Sequence, residues 1–482
     1  LGPDAESVAL AWRFPGLASK DFEVLQVVSQ VLYNGKAGLI DLDLNQQQKV
    51  LNSYGYPMGL ADYSAFILGG LPKQGQMLEE VKDLLLNEIK KLRAGEFDEK
   101  MLQANINNFK LYELQSMESN EGRADIFVNS FINGTNWEDE VTAIDRMAKL
   151  TKEDIVAFAD KYLKEDNYAV VYKKQGKDPN EKKMTKPEIT PIVSNRDVAS
   201  PFLTSIQENA VKPIEPVFLD FKKDMSQLTA KSDIPVLYKQ NTTNDLFQLI
   251  YVFDMGNNND KALGTAFDYL EYLGTSDMTP EELKSEFYRL ACTFYVSPGN
   301  ERTYVVLSGL NENMPAAMQL FEKLLADAQV NKEAYDNLVG DILKARADAK
   351  LNQGQNFSRL MNYAMYGPKS PATNLLTEAE LASMNPQELV DRIHNQNNYK
   401  HRILYYGPSS SKDLLATIDQ YHQVPATLKD IPAGNEFSYL ETPATKVLVA
   451  PYEAKQIYMA QISNLDKKYD PCLLYRSDAA DE

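Results

Sequence analysis

The stretch D-Y-L-E-Y at residues 268–272 is where the sequence comes closest to a catalytic motif. It has the spacing of the zinc motif H-x-x-E-H, in which two histidines bind the metal and the glutamate activates a water molecule. Asp268 and Tyr272 occupy the histidine positions, and Glu271 is retained. A tyrosine hydroxyl ionises only at about pH 10 and is a poor zinc ligand. We therefore predict a degenerate motif with neither metal nor catalysis, on a helix that packs through Phe267, Leu270 and Leu273.

The remaining residues that could bind a metal or act as nucleophiles are few. The three histidines are His394, His401 and His422, and none has a second His or a Glu at helical ligand spacing. We predict that each is a surface or packing residue. With only Cys292 and Cys472, a disulfide framework and a thiolate zinc site are excluded, and Cys292 is expected to pack in a core.

Length and charge limit the classes of function. A chain of 482 residues is expected to form two or three domains. Its formal net charge of −18 would repel phosphate backbones, so a nucleic acid is not an expected partner. The sequence has no apolar run of about 18 residues, so we predict no membrane span.

An internal repeat organises the chain. The segment "VALAWRFPGLASKDFEVLQVVSQVLYNG" aligns with "QLIYVFDMGNNNDKALGTAFDYLEYLG", so that Phe14 matches Phe253 at a separation of 239. Further along, "TKEDIVAFADKYLKEDNYAVVY" aligns with "NPQELVDRIHNQNNYKHRILYY" at a separation of 234. Capping-box pairs are predicted at Thr151 with Asp154 and at Asn385 with Glu388. Each copy reads as strand, helix, strand, several helices and a closing strand, which predicts an α+β domain with helices on one face of a largely antiparallel sheet.

The repeat sets the predicted domain bounds. The two copies are separated by a segment rich in Pro and Lys, and a second connector leads to a short piece that resembles the opening strand pair of a third copy. The predicted units are the first copy at 1–174, a linker at 175–234, the second copy at 235–407, a connector at 408–442, a truncated third copy at 443–471 and a tail at 472–482.

The arrangement resembles the insulinase/pitrilysin family of zinc metallopeptidases, the inverzincins. The resemblance rests on "SVALAWRFPG", "LYNGKAGLIDLDLNQQQKVL", "KDPNEKKMTKPEITPI" and "IPVLYKQNTTNDLFQLIYVFDMG". It implies four domains, in two halves that close around a substrate chamber. Residues 1–174 would be the second domain, 235–407 the third and 443–471 the start of the fourth. The zinc-bearing first domain, with H-x-x-E-H, would precede Leu1, so the resemblance implies zinc in the parent protein and no cofactor in this part.

The resemblance also implies a peptide-binding exosite in the first copy, where an exposed strand edge pairs with the substrate backbone. The matching residues are Gly35 and Gly38 in "NGKAG", and Met58, Gly59 and Leu60 in "PMGLA". The alternative is that these glycines only shape turns. Pro57 is a departure, because it removes one donor from the strand edge.

Two functions follow from this interpretation. In the first, the chain is the inactive central part of a zinc endopeptidase and supplies chamber wall and exosite for peptide substrates, in contact with the missing first and fourth domains. In the second, it is a catalytically dead homologue that scaffolds a separate active subunit. The tail "PCLLYRSDAADE" resembles the translation of a sequencing-library adapter, so we expect 472–482 to be non-native. The two-cysteine composition is compatible with the cytoplasm, whereas the resemblance favours the periplasm.

Overall fold

The structure is a computed structural model. It describes residues 4–177, 185, 187–191, 196, 198–453 and 456–464. The predicted non-native tail at 472–482 lies outside the described residues, as do parts of the predicted linker and of the segment 443–471.

The first copy is built on a four-stranded antiparallel sheet. In β1 the side chains of Val8, Leu10, Trp12 and Phe14 are buried, because alternate residues of a strand face the same side of a sheet. Seven helices and one π-helix (Asp41–Gln46) accompany this sheet. The strands, in the sheet order β2-β3-β1-β4, are β1 Ser7–Pro15, β2 Asn52–Met58, β3 Tyr63–Leu71 and β4 Ala169–Lys173. The helices are α1 Lys20–Leu32, α2 Leu78–Arg93, α3 Lys100–Ser116, α4 Asn120–Asn133, α5 Trp137–Val141, α6 Ala143–Met147 and α7 Lys152–Tyr162.

The second copy repeats this plan with two added strands. Its sheet order is β8-β9-β7-β10-β6-β5, and every neighbouring pair is antiparallel except β10 and β6, which run parallel. The strands are β5 Ser226–Ala230, β6 Ile234–Gln240, β7 Leu246–Phe253, β8 Cys292–Pro298, β9 Thr303–Leu310 and β10 Arg402–Gly407. After the linker helix α8 Pro201–Gln207, the helices are α9 Leu263–Leu270, α10 Pro280–Arg289, α11 Met314–Asp327, α12 Lys332–Ala349, α13 Gln353–Tyr366, α14 Glu378–Ser383, α15 Pro386–Asn395 and α16 Ser411–Tyr421.

The two copies share one topology. The order β2-β3-β1-β4 in the first sheet corresponds to β8-β9-β7-β10 in the second, and each copy has its own buried core. The predicted α+β class is confirmed. The capping box at Thr151 and Asp154 is also present. At the second copy the predicted box is wrong, because the Asn385 side chain accepts from the Gln387 N–H and caps α15 without Glu388.

Several elements lie where linkers were predicted. Strand β5 falls inside 175–234 but pairs with β6, so the second sheet begins before residue 235. Helix α16 falls inside 408–442, and its Leu414 and Ile418, four residues apart on one helix face, are fully buried in the second core. In the described part of 443–471 the structure has no helix or strand. The domain bounds themselves stay predictions.

The two copies contact each other through α3, α10 and the π-helix. The Tyr288 hydroxyl donates to Asn105 Oδ1 at 2.9 Å, and Asn108 Nδ2 donates to the Tyr288 carbonyl at 2.9 Å. Gln48 Nε2 donates across the same interface to the Ala334 carbonyl at 3.2 Å. Since these groups are buried and paired, the interface is specific in register rather than a loose apolar contact.

Candidate functional site

The degenerate motif lies at the end of α9. Phe267, Leu270 and Leu273 are buried, as predicted from the helix pattern. Glu271 is exposed and lies 3.5 Å from the Lys284 ammonium. Burial, with the nearby carboxylates of Asp341, Glu271 and Asp268, raises the pKa of Tyr272 to about 12. The protonated Tyr272 hydroxyl leaves only the carboxylates of Asp268 and Glu271, and Glu271 is ion-paired, so the motif does not supply the three protein donors of a catalytic zinc site.

The structure brings together two histidines that are 21 residues apart. His401 Nε2 and His422 Nε2 lie 2.9 Å apart, while His401 Nδ1 is 2.7 Å from the Tyr399 carbonyl and His422 Nδ1 is 2.7 Å from Glu322 Oε1. Both Nδ1 atoms therefore face acceptors and donate to them. The contact between the two Nε2 atoms then needs one further proton, whose charge the Glu322 carboxylate balances.

Glu322 is the centre of this buried network. Its carboxylate accepts from the Tyr251 hydroxyl at 2.9 Å, from Asn397 Nδ2 at 3.0 Å and from the Gln423 N–H at 3.0 Å, in addition to His422. All the side chains concerned are buried. The sequence signal is a charged residue at a core position of α11, between Phe321 and Leu325, but its partners are too distant in sequence to be recognised.

This histidine network does not form a metal site either. Glu322 binds the Nδ1 side of His422, whereas the two Nε2 atoms face each other, so three ligands do not converge on one point. Across the part of the chain that the structure describes, no group of three His, Cys, Asp or Glu residues is placed to hold a metal ion. His394 is separate, with Nε2 3.0 Å from the Ala328 carbonyl.

The loop "NGKAG", predicted to be half of the exosite, is held by its own side chains. Asp41 Oδ2 accepts from the N–H groups of Asn34, Gly35 and Gly38 at 2.9–3.1 Å. The remaining two N–H groups of the loop, those of Lys36 and Ala37, donate to Asn34 Oδ1. Burial raises the pKa of Asp41 to about 6, although these three N–H groups oppose the shift. All five amides of the loop are therefore engaged and do not offer donors to a peptide.

Both predicted positions of this loop require a glycine, Gly35 for its backbone conformation and Gly38 for lack of space. Gly35 has φ +77°, a left-handed conformation that L side chains rarely adopt. At Gly38 an added Cβ would lie 2.7 Å from the Leu32 carbonyl oxygen. Both positions thus have a structural role in the turn, which was the alternative interpretation.

The other predicted part of the exosite, "PMGLA", lies at the C-terminal end of β2. Among the described residues β2 pairs only with β3, so it is an edge strand of its sheet. The first half of its outer edge is covered, because the Asn45 side-chain amide bonds both the N–H and the carbonyl of Ser53 at 2.8 Å. The direction of the backbone N–H and C=O groups alternates from residue to residue along an antiparallel strand. Gly55 and Pro57 therefore direct these groups to the outer edge, as Ser53 does. Gly55 is itself buried, and Pro57 has no N–H.

The exposed groups at this end are side chains. Tyr56, Met58 and Leu60 are 46%, 40% and 55% exposed, and Tyr63 at the start of β3 is 59% exposed. The Arg13 guanidinium lies 4.9 Å from the centre of the Tyr63 ring. We call Tyr56, Met58, Leu60 and Tyr63 the hairpin surface. Met58 and Leu60 belong to the predicted exosite, and Gly59 between them packs closely on Leu17, leaving no room for a side chain.

One pocket joins the two predicted sites. Gly35 and Lys36 of the first copy line it together with Glu271, Lys284 and apolar side chains of the second copy. The structure therefore places the loop of the predicted exosite beside the degenerate motif, although the hairpin surface is not part of this pocket.

The fold defines an α+β protein built from two copies of one domain. Residues 2–109 match the family model "Peptidase M16 inactive domain". This portion is accordingly a non-catalytic part of the M16, or insulinase-type, family, and the resemblance inferred from the sequence is confirmed.

Known proteins show the same likeness. The zinc protease PqqE of Helicobacter pylori is 27% identical over 179 residues, which cover 36% of this chain and 39% of that protein. The periplasmic protease PqqL from Escherichia coli aligns with 92% of this chain and 52% of its own, at 13% identity and a TM-score of 0.42. A peptidase M16 inactive domain from Pseudomonas fluorescens aligns with 45% of this chain and 53% of its own, at 15% identity and a TM-score of 0.37. The chain spans about half or less of these proteins. None of the described helices is long and apolar enough to cross a membrane.

Proposed function

We propose that the chain is the non-catalytic central part of a zinc metalloendopeptidase, in which it forms wall and exosite of a substrate chamber. The observation that carries this proposal is the hairpin surface at the end of β2, four exposed apolar or aromatic side chains on a domain of an inactive peptidase family. Exposed apolar clusters of this kind mark binding surfaces in soluble domains. The family resemblance favours the periplasm as the compartment.

The peptide would contact this surface mainly through side chains. The outer edge of β2 offers few backbone groups, because Asn45 covers Ser53 and Pro57 lacks a donor. Apolar and aromatic residues of an extended peptide would therefore pack on Tyr56, Met58 and Leu60, which selects for apolar side chains rather than for one sequence. Selection by length would come from the chamber.

Charge on the hairpin surface is expected to weaken peptide binding. In the double variant Met58→Asp/Leu60→Asp, two exposed apolar contacts become carboxylates, so we expect affinity to fall about tenfold or more. Fluorescence anisotropy with a fluorescein-labelled tryptic digest of casein measures this change. The control is Val198→Asp, which places a charge on an exposed apolar residue of the linker and should leave binding unchanged. Equal affinity of the double variant and the parent chain would contradict the proposal.

The second expectation concerns zinc and activity. We expect the purified chain, after incubation with zinc and dialysis, to hold far less than one zinc per chain and to cleave no peptide. Atomic absorption and a fluorogenic peptide assay measure the two quantities. Zinc near one per chain, removed by a chelator together with activity, would show that a centre of another design exists and would refute the proposal.

A scaffolding role is supported by a different observation. Phe127, Phe131 and Ile132 form an exposed apolar face on α4, and Val217 and Phe218 are exposed in the linker. Such surfaces suit contacts with further domains of the parent protein or with a separate active subunit. The open reading frame upstream of Leu1 distinguishes the two, because H-x-x-E-H in frame supports the peptidase.

A further inference from the structure

A cavity of about 390 Å³ lies in the second copy, beside one face of α15. Its walls are formed by α15, by the loop that leads from β7 into α9, and by Tyr399 and Lys429. This volume is in the range that small-molecule sites in proteins occupy. The cavity shares no lining residue with the degenerate motif or with the hairpin surface.

The first copy packs two aromatic rings at the equivalent place. Phe158 and Tyr162 stand 234 residues before Arg392 and Gln396 (392 − 158, 396 − 162), at the separation of the second aligned segment. The ring centres of Phe158 and Tyr162 lie 4.9 Å apart. In the second copy a guanidinium and an amide replace these rings, and the cavity lies beside them.

Gln396 is the residue that indicates a ligand. It lines the cavity and is only 1% exposed, yet neither its Oε1 nor its Nε2 has a hydrogen-bond partner among the described residues. Buried polar side-chain atoms in proteins are in large majority hydrogen-bonded. A molecule that binds in the cavity and supplies both an acceptor and a donor accounts for this unpaired amide.

The charges around the cavity determine the chemistry of that molecule. Arg392 is neutralised by Asp260, since its Nε lies 2.7 Å from Asp260 Oδ2. The carboxylates of Glu388 and Asp391 and the ammonium of Lys429 form no ion pair within the part of the chain that the structure describes. These three groups give the wall a net charge of −1 (−2 + 1). A complementary ligand therefore has two cationic groups and one carboxylate.

We propose that the cavity binds a free amino acid with a basic side chain, such as arginine or lysine. The two cationic groups of the ligand pair with Glu388 and Asp391, and its α-carboxylate pairs with Lys429. Gln396 accepts from a cationic group through Oε1 and donates to the carboxylate through Nε2, so one ligand satisfies both atoms. Hydrogen bonds that involve a charged partner are stronger than those between neutral groups.

This site does not depend on the proposed peptide exosite. The hairpin surface lies in the first copy and is tested with a peptide, whereas every residue that lines the cavity belongs to the second copy or to the connector that follows it. One interaction can therefore fail while the other is retained.

Isothermal titration calorimetry of the full chain at physiological ionic strength tests the proposal, with L-arginine as the probe. We expect saturable binding at one site. L-Citrulline has nearly the same shape but an uncharged urea group in place of the guanidinium, so its affinity should be at least tenfold lower. Agmatine lacks the carboxylate and should also bind at least tenfold more weakly, whereas nonspecific attraction to a chain of net charge −18 would favour it.

Two variants of Gln396 separate a loss of binding from a loss of folding. Gln396→Leu removes the amide and nearly keeps the size of the side chain, so affinity for arginine should fall at least tenfold. Its melting temperature by circular dichroism should not fall, because no hydrogen bond of the amide within the described residues is lost. Gln396→Tyr introduces the residue of the first copy and should fill the cavity and abolish binding. Gln207→Leu, at an exposed linker position, is the matched control and should bind arginine as the parent chain does.

A charge variant tests the site without altering the core. Glu388 is exposed, and Glu388→Gln should weaken arginine binding at least tenfold while the protein stays folded. Absence of saturable binding, equal affinity for arginine and for citrulline or agmatine, or unchanged binding to Gln396→Leu or Glu388→Gln would each overturn the proposal.

Discussion

Replacing Glu322 by alanine is expected to lower the free energy of unfolding of the second copy by about 4 kcal/mol. The carboxylate accepts four hydrogen bonds in the core, from Tyr251, His422, Asn397 and the Gln423 backbone. Alanine removes all four acceptor contacts and leaves the buried donors without partners, which costs far more than the loss of an exposed ion pair.

Chemical denaturation in urea, followed by circular dichroism and by tyrosine fluorescence, measures this loss. Glu322→Gln keeps one carbonyl oxygen but adds an amide donor, so its cost should lie between those of alanine and the parent residue. Glu301→Ala is the matched control at an exposed position and should change stability by less than about 0.5 kcal/mol. If Glu322→Ala were as stable as Glu301→Ala, the hydrogen-bond network would not hold this core together.

Local patterns explain what could be predicted of the fold. The alternation in "SVALAWRFP" and the three-to-four-residue period of the helices arise from neighbours in sequence, so a repeat of such patterns predicts a repeat of elements. Both copies then fold to the same sheet order because the same faces are apolar. The degenerate motif could be recognised for a similar reason, since its ligand positions lie within five residues.

Contacts between distant segments explain what could not be predicted. The resemblance implied an exposed strand edge, but Asn45 of the π-helix covers the edge of β2 at Ser53. Gly35 and Gly38 of "NGKAG" were predicted to contribute to the exosite, but Asp41 binds their N–H groups and that of Asn34. Glu322, His401 and His422 meet only in the folded chain. In each case one polar side chain forms hydrogen bonds with backbone or ring groups that are distant in sequence. Such pairs leave no periodic pattern in the sequence, so they could not be predicted from it.

The second large effect expected is a loss of stability in mild acid through His401. The ring of His401 is buried against Tyr251 and Phe253, and its Nε2 faces His422. Burial and the charge of His422 lower the pKa of His401 to about 4. An unfolded histidine titrates at about 6.5, so between these values the unfolded chain binds a proton that the folded chain does not. Stability therefore falls as pH decreases through this window, by about 2 kcal/mol at pH 5 and about 3 kcal/mol below pH 4.

A buried carboxyl in the first copy acts in the opposite direction and must be removed to isolate this effect. The pKa of Asp41 is raised to about 6, so the folded chain binds a proton that the unfolded chain releases, and stability is lost as pH rises through about 6. Asp41→Asn keeps a side-chain carbonyl oxygen as acceptor and abolishes this titration.

In that background, urea unfolding at pH 7.5 and pH 5.0 is compared with and without His401→Gln. We expect the free energy of unfolding of Asp41→Asn/His401→Gln to fall by about 2 kcal/mol less between pH 7.5 and pH 5.0 than that of Asp41→Asn alone. This difference does not depend on how stable the double variant is at pH 7.5. Equal losses in the two proteins would mean that His401 takes up its proton as readily in the core as in water, which the burial of its ring should prevent.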